Sequence, residues 1–341
     1  MKKMIIVFFS LMVIFILSIE NIDNIWSQNK KFFLKLGTAT KVKSTYTFPK
    51  FYKGLYLNSY SGKNRERFTY FIKMALKYNL NTLVIDVQDS RFNECTIPKE
   101  HIDWCLKKGI HPIARIVVFP DGLKSYPVTK QFIEEKLVLA ETACKKGFKE
   151  IQFDYIRFND YKILRHLSYQ EKYDFIEGFL RKARSHLKKY RIKVAADIFG
   201  RIPLNRGDTI GQRMEGLDRV ADIICPMAYP SHYTWSKKYQ ADPYYTVYLT
   251  SKRAHERTKS AEIVTYIQAF NMKVDISRLS FEKYIREQIR AVHDARIRGY
   301  LLWNARQDYM VAFQAINNFY NNRRKVSRDD SKDKKTSEST L

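Results

Sequence analysis

Ile151-Gln152-Phe153-Asp154-Tyr155, with Gly147 just before it and Ile156-Arg157-Phe158 just after, is the stretch on which the fold turns. It is short, apolar and rich in β-forming residues, and it closes on an aspartate, which strands ordinarily disfavour. Gly147 sits where a helix ends, so a helix leads into this strand. The same unit recurs in both directions along the chain. Upstream are Gly54-Leu55-Tyr56-Leu57, Thr82-Leu83-Val84-Ile85-Asp86-Val87 and Pro112-Ile113-Ala114-Arg115-Ile116-Val117-Val118-Phe119, the last preceded by Gly109 as another helix stop. Downstream are Val194-Ala195-Ala196-Asp197-Ile198, Asp222-Ile223-Ile224-Cys225-Pro226-Met227, Ile263-Val264-Thr265-Tyr266-Ile267-Gln268 and Tyr300-Leu301-Leu302-Trp303. Between them lie amphipathic stretches, such as Phe68, Phe71, Ile72, Ala75 and Leu76 at the spacing of one helix face. Strands alternating with helices in this way must run parallel through right-handed crossovers. Eight evenly spaced units predict a closed (β/α)8 barrel of the TIM type. The alternative is an open doubly wound sheet, but the first strand leads into Asn58-Ser59-Tyr60-Ser61-Gly62, which lacks a glycine-rich phosphate turn.

The chain of 341 residues accommodates one such barrel with tails to spare, since α/β barrels commonly take about 250 residues. A hydrophobic fraction of 45% supports a packed body. Lys2 and Lys3 precede an uninterrupted apolar stretch from Met4 to Ile19, the charged and hydrophobic regions of a secretory signal. The chain is therefore expected to be exported to the cell envelope, either anchored in the inner membrane or secreted. The flanking Ser18-Ile19-Glu20-Asn21 leaves both outcomes open. The domain plan is a signal or membrane anchor over 1–26, a linker over 27–50, the barrel over 51–322 and a disordered polar tail over 323–341.

The formal charge of +26 attracts polyanions, and nucleic acid, anionic lipid and acidic envelope polymers all qualify. Basic residues are spread along the chain with no zinc-finger, RNA-recognition or basic-zipper spacing, so nucleic acid is not the expected partner. Cys95, Cys105, Cys144 and Cys225 form no CxxC pair and read as buried free thiols. With no HxH, HExxH, P-loop or GxSxG pattern, neither a metal nor a cofactor is expected.

In a barrel of this kind chemistry sits at the carboxyl-terminal ends of the strands, and those ends are rich in aspartate. Asp86 and Asp89 close strand two, Asp154 closes strand four and Asp197 closes strand five. Paired carboxylates at such a rim suit glycosidic-bond chemistry, with Asp154 as nucleophile or charge stabiliser and Asp197 as its acid/base partner. Arg157, in the loop after strand four, is the expected charge partner of Asp154. Arg115, inside an apolar strand, needs a buried partner, and Asp86 is the natural one. Tyr229 and His232 after strand six, with Trp303 and Asn304 at strand eight, would give a polymeric glycan an aromatic and hydrogen-bonding surface. Asp86, Asp89 and Arg157 join them as candidate substrate contacts.

Taken in order, Lys53-Gly54-Leu55-Tyr56, Val84-Ile85-Asp86-Val87, Gln152-Phe153-Asp154-Tyr155-Ile156-Arg157-Phe158, Ala196-Asp197-Ile198-Phe199-Gly200, Ile224-Cys225-Pro226-Met227-Ala228-Tyr229-Pro230-Ser231-His232 and Leu302-Trp303-Asn304-Ala305 resemble the putative glycoside hydrolase domain family distantly related to the alpha-amylase type. The resemblance implies a barrel and a polysaccharide substrate. In the alpha-amylase type the nucleophile is an Asp ending strand four and the acid/base a Glu ending strand five. Asp154 fits the first position, and Asp197 occupies the second with a shorter side chain. Between strands three and four only Pro120-Asp121-Gly122-Leu123-Lys124-Ser125-Tyr126-Pro127 precedes the helix, where family members carry a longer Trp-rich loop. The shorter loop implies an open cleft, which either lets a polymer lie across it or marks a catalytically inactive barrel in which carbohydrate binding has outlived catalysis.

Overall fold

The structure, a computed structural model, describes residues 46–89, 92–160 and 164–321, with the side chains of residues 89, 92 and 93 also outside it. The amino-terminal apolar segment and the polar tail, to which the sequence assigns export and disorder, lie outside the described residues. Among the described residues no helix is long and apolar enough to cross a membrane.

Eight parallel strands close on themselves: β1 (Tyr52–Leu57), β2 (Thr82–Asp86), β3 (His111–Val117), β4 (Glu150–Asp154), β5 (Lys193–Phe199), β6 (Ile223–Met227), β7 (Glu262–Ile263 and Thr265–Gln268) and β8 (Gly299–Trp303). Each pairs with its sequence neighbour, and β8 returns to β1 with Gly299 opposite Tyr52. A pairing of Met227 with Tyr266 completes the wall between β6 and β7. The fold is the (β/α)8 barrel expected from the eight runs, and closure removes the open-sheet alternative.

The helices on the outside are α1 (Arg65–Lys77), α2 (Lys99–Lys107), α3 (Lys130–Lys146), α4 (Tyr169–Leu187), α5 (Met214–Val220), α6 (Pro243–Glu256), α7 (Phe281–Asp294) and α8 (310–321). Phe68, Phe71, Ile72 and Ala75 of α1 are buried against the strands, whereas Leu76, assigned to the same face by spacing, is 45% exposed. Its position in the last turn carries it past the edge of the sheet. Gly147 ends α3 at φ 105°, a left-handed conformation that costs glycine nothing, and its N–H caps the Ala143 and Cys144 carbonyls. Ser168 and Glu171 cap the start of α4 reciprocally. The four cysteines are buried and free.

Alternate residues of the strands point into the barrel, where three polar layers are stacked. At the amino-terminal end Tyr52 Oη and His111 Nε2 each lie 3.1 Å from Glu150 Oε2. In the middle Gln152 accepts from Tyr266 Oη at 2.6 Å and donates to Cys225 Sγ at 3.0 Å. The third layer, at the carboxyl-terminal end, forms the site.

Candidate functional site

Asp86, Arg115, Asp154 and Asp197 end adjacent strands β2 to β5, and the barrel's pleat turns them all inward. Arg115 is the hub. Its Nη1 donates to Asp86 Oδ1 at 2.5 Å, its Nε donates to Asp154 Oδ2 at 3.1 Å, and its Nη2 donates to the same oxygen. The remaining oxygen of Asp86 accepts from Tyr56 Oη at 2.6 Å. Asp154 Oδ1 accepts from the Tyr155 N–H at 2.5 Å, and Tyr155 itself adopts φ 54°. A bulky residue held left-handed at a strand end is local strain of the kind found at functional sites.

Asp197 is different. Its nearest cation is Arg115 Nε at 3.8 Å, beyond hydrogen-bond reach, and neither of its carboxyl oxygens has a hydrogen-bond partner among the described residues. Only 1% exposed, it is pushed well above the usual carboxylate range by burial and then by the nearby Asp154 charge, with Arg115 opposing. Burial therefore favours the protonated form of Asp197. The Asp154 and Asp197 oxygens that face Arg115 Nε, at 3.1 and 3.8 Å, lie within about 7 Å of one another by the sum of those distances. That spacing admits direct paired-carboxyl chemistry.

A raised carboxyl makes stability fall with pH. Above the ordinary aspartate range the unfolded chain releases the proton that folded Asp197 keeps, so the penalty is absent in acid and grows as pH rises toward the folded value. Asp197→Asn should therefore raise the melting temperature at about pH 8, by the equivalent of roughly 1–3 kcal/mol, with little gain near pH 4. Parallel thermal melts of both proteins across that range check this; a gain independent of pH would mean that Asp197 is not protonated in the fold.

Above these groups opens a cleft of about 330 Å³. Arg115, Asp154 and Asp197 form its floor, and Tyr229, Tyr266 and Trp303 form an aromatic wall. Trp303 stacks at 4.0 Å on Tyr56 and lies 4.9 Å from the Arg115 guanidinium, so it is fixed by the same hub. His232 also lines the cleft, its Nδ1 3.0 Å from Ser231 Oγ.

The remaining candidates fall elsewhere or act differently. Arg157 lines the cleft but does not pair with Asp154; its guanidinium lies 4.6 Å from the Phe199 ring and its nearest carboxylate is Asp160, at 3.8 Å. Arg115 takes the role expected of Arg157: it stands on neighbouring β3, opposite Gln152 in register, and its long side chain reaches along the barrel to Asp154. Asn304 is buried beside the cleft, its amide donating to the Ala269 and Asp308 carbonyls at 2.8 and 2.7 Å, so it organises the β7 and β8 loops. Asp89 stands in a two-stranded hairpin, Gln88–Asp89 with Phe92–Cys95, beyond the end of β2.

Sequence reading overlooked Tyr56, Tyr266, Phe199, Arg201 and Trp235. Phe199 shares strand parity with Asp197 and was accessible to that argument, whereas Tyr56 and Tyr266 stand on strands that offered no polar candidate. Trp235 was not accessible to it either: it stands in the loop after β6, 56% exposed, its ring tilted against buried Tyr233 at 4.9 Å. Gly200 makes room for that loop, since a Cβ there would lie 2.2 Å from Tyr233 Oη and 2.4 Å from the Met227 carbonyl.

A closed (β/α)8 barrel with a carboxyl pair and aromatic walls at its carboxyl-terminal mouth defines the chain as a protein of glycoside-hydrolase architecture. Within that class, the chain belongs to the family described as putative glycosyl hydrolase domain, whose sequence model matches residues 125–309. Solved structures share the fold. The glycoside hydrolase domain of PgaB (BpsB) from Bordetella bronchiseptica aligns with a TM-score of 0.58 and 11% identity over 79% of this chain and 98% of that one. An endo-beta-1,4-mannanase from Thermotoga petrophila gives 0.57 at 13% identity over 80% and 76%. The spore cortex-lytic enzyme SleL from Bacillus megaterium QM B1551 gives 0.55 at 14% over 80% and 75%. No curated protein matches the sequence.

Proposed function

We propose that the protein hydrolyses glycosidic bonds of an envelope or extracellular polysaccharide, with Asp197 as proton donor and Asp154 as nucleophile or charge stabiliser. The observation that carries this reading is the division of labour between two adjacent carboxyls. Asp154 is salt-bridged to Arg115, while Asp197 is buried, without a hydrogen bond among the described residues, and shifted toward its protonated form. Glycoside hydrolysis needs one carboxyl in each state, since the leaving oxygen must be protonated while positive charge develops at the sugar. No step requires a group from outside the chain other than water. Partly exposed Trp303 offers a ring to sugars at the cleft, backed by buried Tyr229 and Tyr266, and Trp235 extends that surface to the rim.

The test is release of reducing ends from a panel of polysaccharides. Chitin, mannan and peptidoglycan come first, because chitinases, a mannanase and spore cortex-lytic enzymes share this fold. Binding without cleavage across the panel would reassign the barrel to carbohydrate recognition alone. Trp235→Ala should weaken binding of the best glycan by about 1 kcal/mol, roughly fivefold in Kd, and leave the melting temperature unchanged. Titration of both proteins with that glycan measures it, and equal affinities would remove Trp235 from the binding surface.

A further inference from the structure

We propose that the amino-terminal end of the barrel, centred on residues 181–193, is a docking face for an anionic lipid bilayer. Arg181-Lys182-Ala183-Arg184-Ser185-His186-Leu187-Lys188-Lys189-Tyr190-Arg191-Ile192-Lys193 contains seven lysines and arginines and no acidic residue. The stretch forms the last turns of α4, a short 3-10 turn and the start of β5, so it lies at the end of the barrel opposite the cleft. Lys182, Arg184, Lys189 and Lys193 are paired with Glu134, Asp222, Glu141 and Glu262. Arg181, Lys188 and Arg191 are exposed, have no ion-pair partner among the described residues, and line a hollow of about 580 Å³.

Cations at helix carboxyl termini also complement the helix dipole, and one or two per helix need no other explanation. Lys77, Lys107 and Lys145 bring exposed charge to the same end in that way. Seven in one turn-and-strand segment exceed what a single helix end can use. The opposite end of the barrel carries Asp86, Asp154, Asp160 and Asp208 among its cations. Arg181, Lys188 and Arg191 are thus cations without an ion-pair partner among the described residues, gathered on one end of the barrel.

Chain connectivity selects a bilayer over other polyanions. The chain enters the barrel at Tyr52, the amino-terminal end of β1, which is the end carrying the basic segment. Upstream lies the apolar run Met4 to Ile19. Where that run acts as a membrane anchor, a reading that rests on the envelope substrate proposed above, the chain joins the barrel at its basic end. Each cation near an anionic bilayer contributes roughly fivefold to partitioning, and the attraction is screened by salt.

The experiment uses the full chain with vesicles of phosphatidylcholine alone and of phosphatidylcholine containing about one third phosphatidylglycerol. Cosedimentation should be at least tenfold stronger on the anionic vesicles at low salt. Hydrogen exchange should slow over residues 184–193 and not around the cleft loops. The triple variant Arg181→Gln, Lys188→Gln, Arg191→Gln should lose roughly a hundredfold of the anionic preference while melting normally; glutamine avoids placing acids at the α4 carboxyl terminus. Equal binding to both vesicle types would overturn the docking face while leaving a role for the apolar segment. Protection at the cleft end, or tighter binding to an RNA oligonucleotide that the triple variant also loses, would overturn it as well.

Discussion

Arg115→Met should destabilise the protein by about 3–5 kcal/mol at neutral pH, the cost of removing the cation from a buried ion cluster. The Arg115 side chain is 5% exposed and is shared between Asp86 and Asp154, with Asp197 nearby. Methionine fills much of the arginine stem's volume, so lost packing contributes little and the remainder is electrostatic. Asp86 keeps its bond from Tyr56, but Asp154 keeps only the Tyr155 N–H. The cost should therefore shrink in acid, because a carboxyl deprived of its cation can take up a proton instead. Adding Asp154→Asn to Arg115→Met should recover part of the loss, as expected for partners in one cluster. Urea unfolding of the single and double variants at two pH values measures both effects. A loss below about 1 kcal/mol would mean that the cluster is not what holds the mouth of the barrel.

The architecture was legible because its signal is repeated. Each of the eight runs is weak, but equal spacing, helix stops at Gly109 and Gly147 and the apolar faces between them all require the same topology. The ends of the strands were legible for the same reason, since the period of two fixes which residues point inward. Asp154 with Gln152, and Asp86 with Arg115, follow from parity and strand order. What was not legible is which neighbour wins a contested partner. Arg157 is close to Asp154 in sequence, but Tyr155 turns left-handed immediately after the strand and the arginine goes to Phe199 instead. Arg115 is 39 residues away in sequence and one strand away in space. Asn304 shows the other limit: its amide serves backbone carbonyls, and no pattern in its neighbourhood distinguishes that from a ligand contact. The rim contributed by Trp235 depends on a loop whose path is set by Gly200 on another strand, a contact no local reading supplies.

Asp154→Asn should reduce glycan hydrolysis at least a thousandfold per folded molecule, the scale of loss when a charge that stabilises the transition state is removed. The substitution also has a structural cost. Asp154 Oδ2 receives both Arg115 Nε and Nη2, and an amide NH2 in that place would set donors against donors, for about 1–3 kcal/mol. These two effects separate cleanly, because activity is normalised to the folded fraction and stability is measured by unfolding. Unchanged turnover per folded molecule would make Asp154 a structural partner of Arg115 and nothing more. Its engagement at both oxygens gives that rival a physical basis, and the lone pair left on Oδ1, which accepts only the Tyr155 N–H, is the one a nucleophile would use. Asp197→Asn provides the complementary measurement. A proton donor matters most when the leaving group is a poor one, so this variant should lose far more activity on a natural polysaccharide than on an aryl glycoside whose phenolate departs unaided. Asp154→Asn should lose activity on both substrates alike, since positive charge develops at the sugar whatever the leaving group. If Asp197→Asn also depressed both equally, the proton would come from elsewhere and the assignment of the two carboxyls would fail.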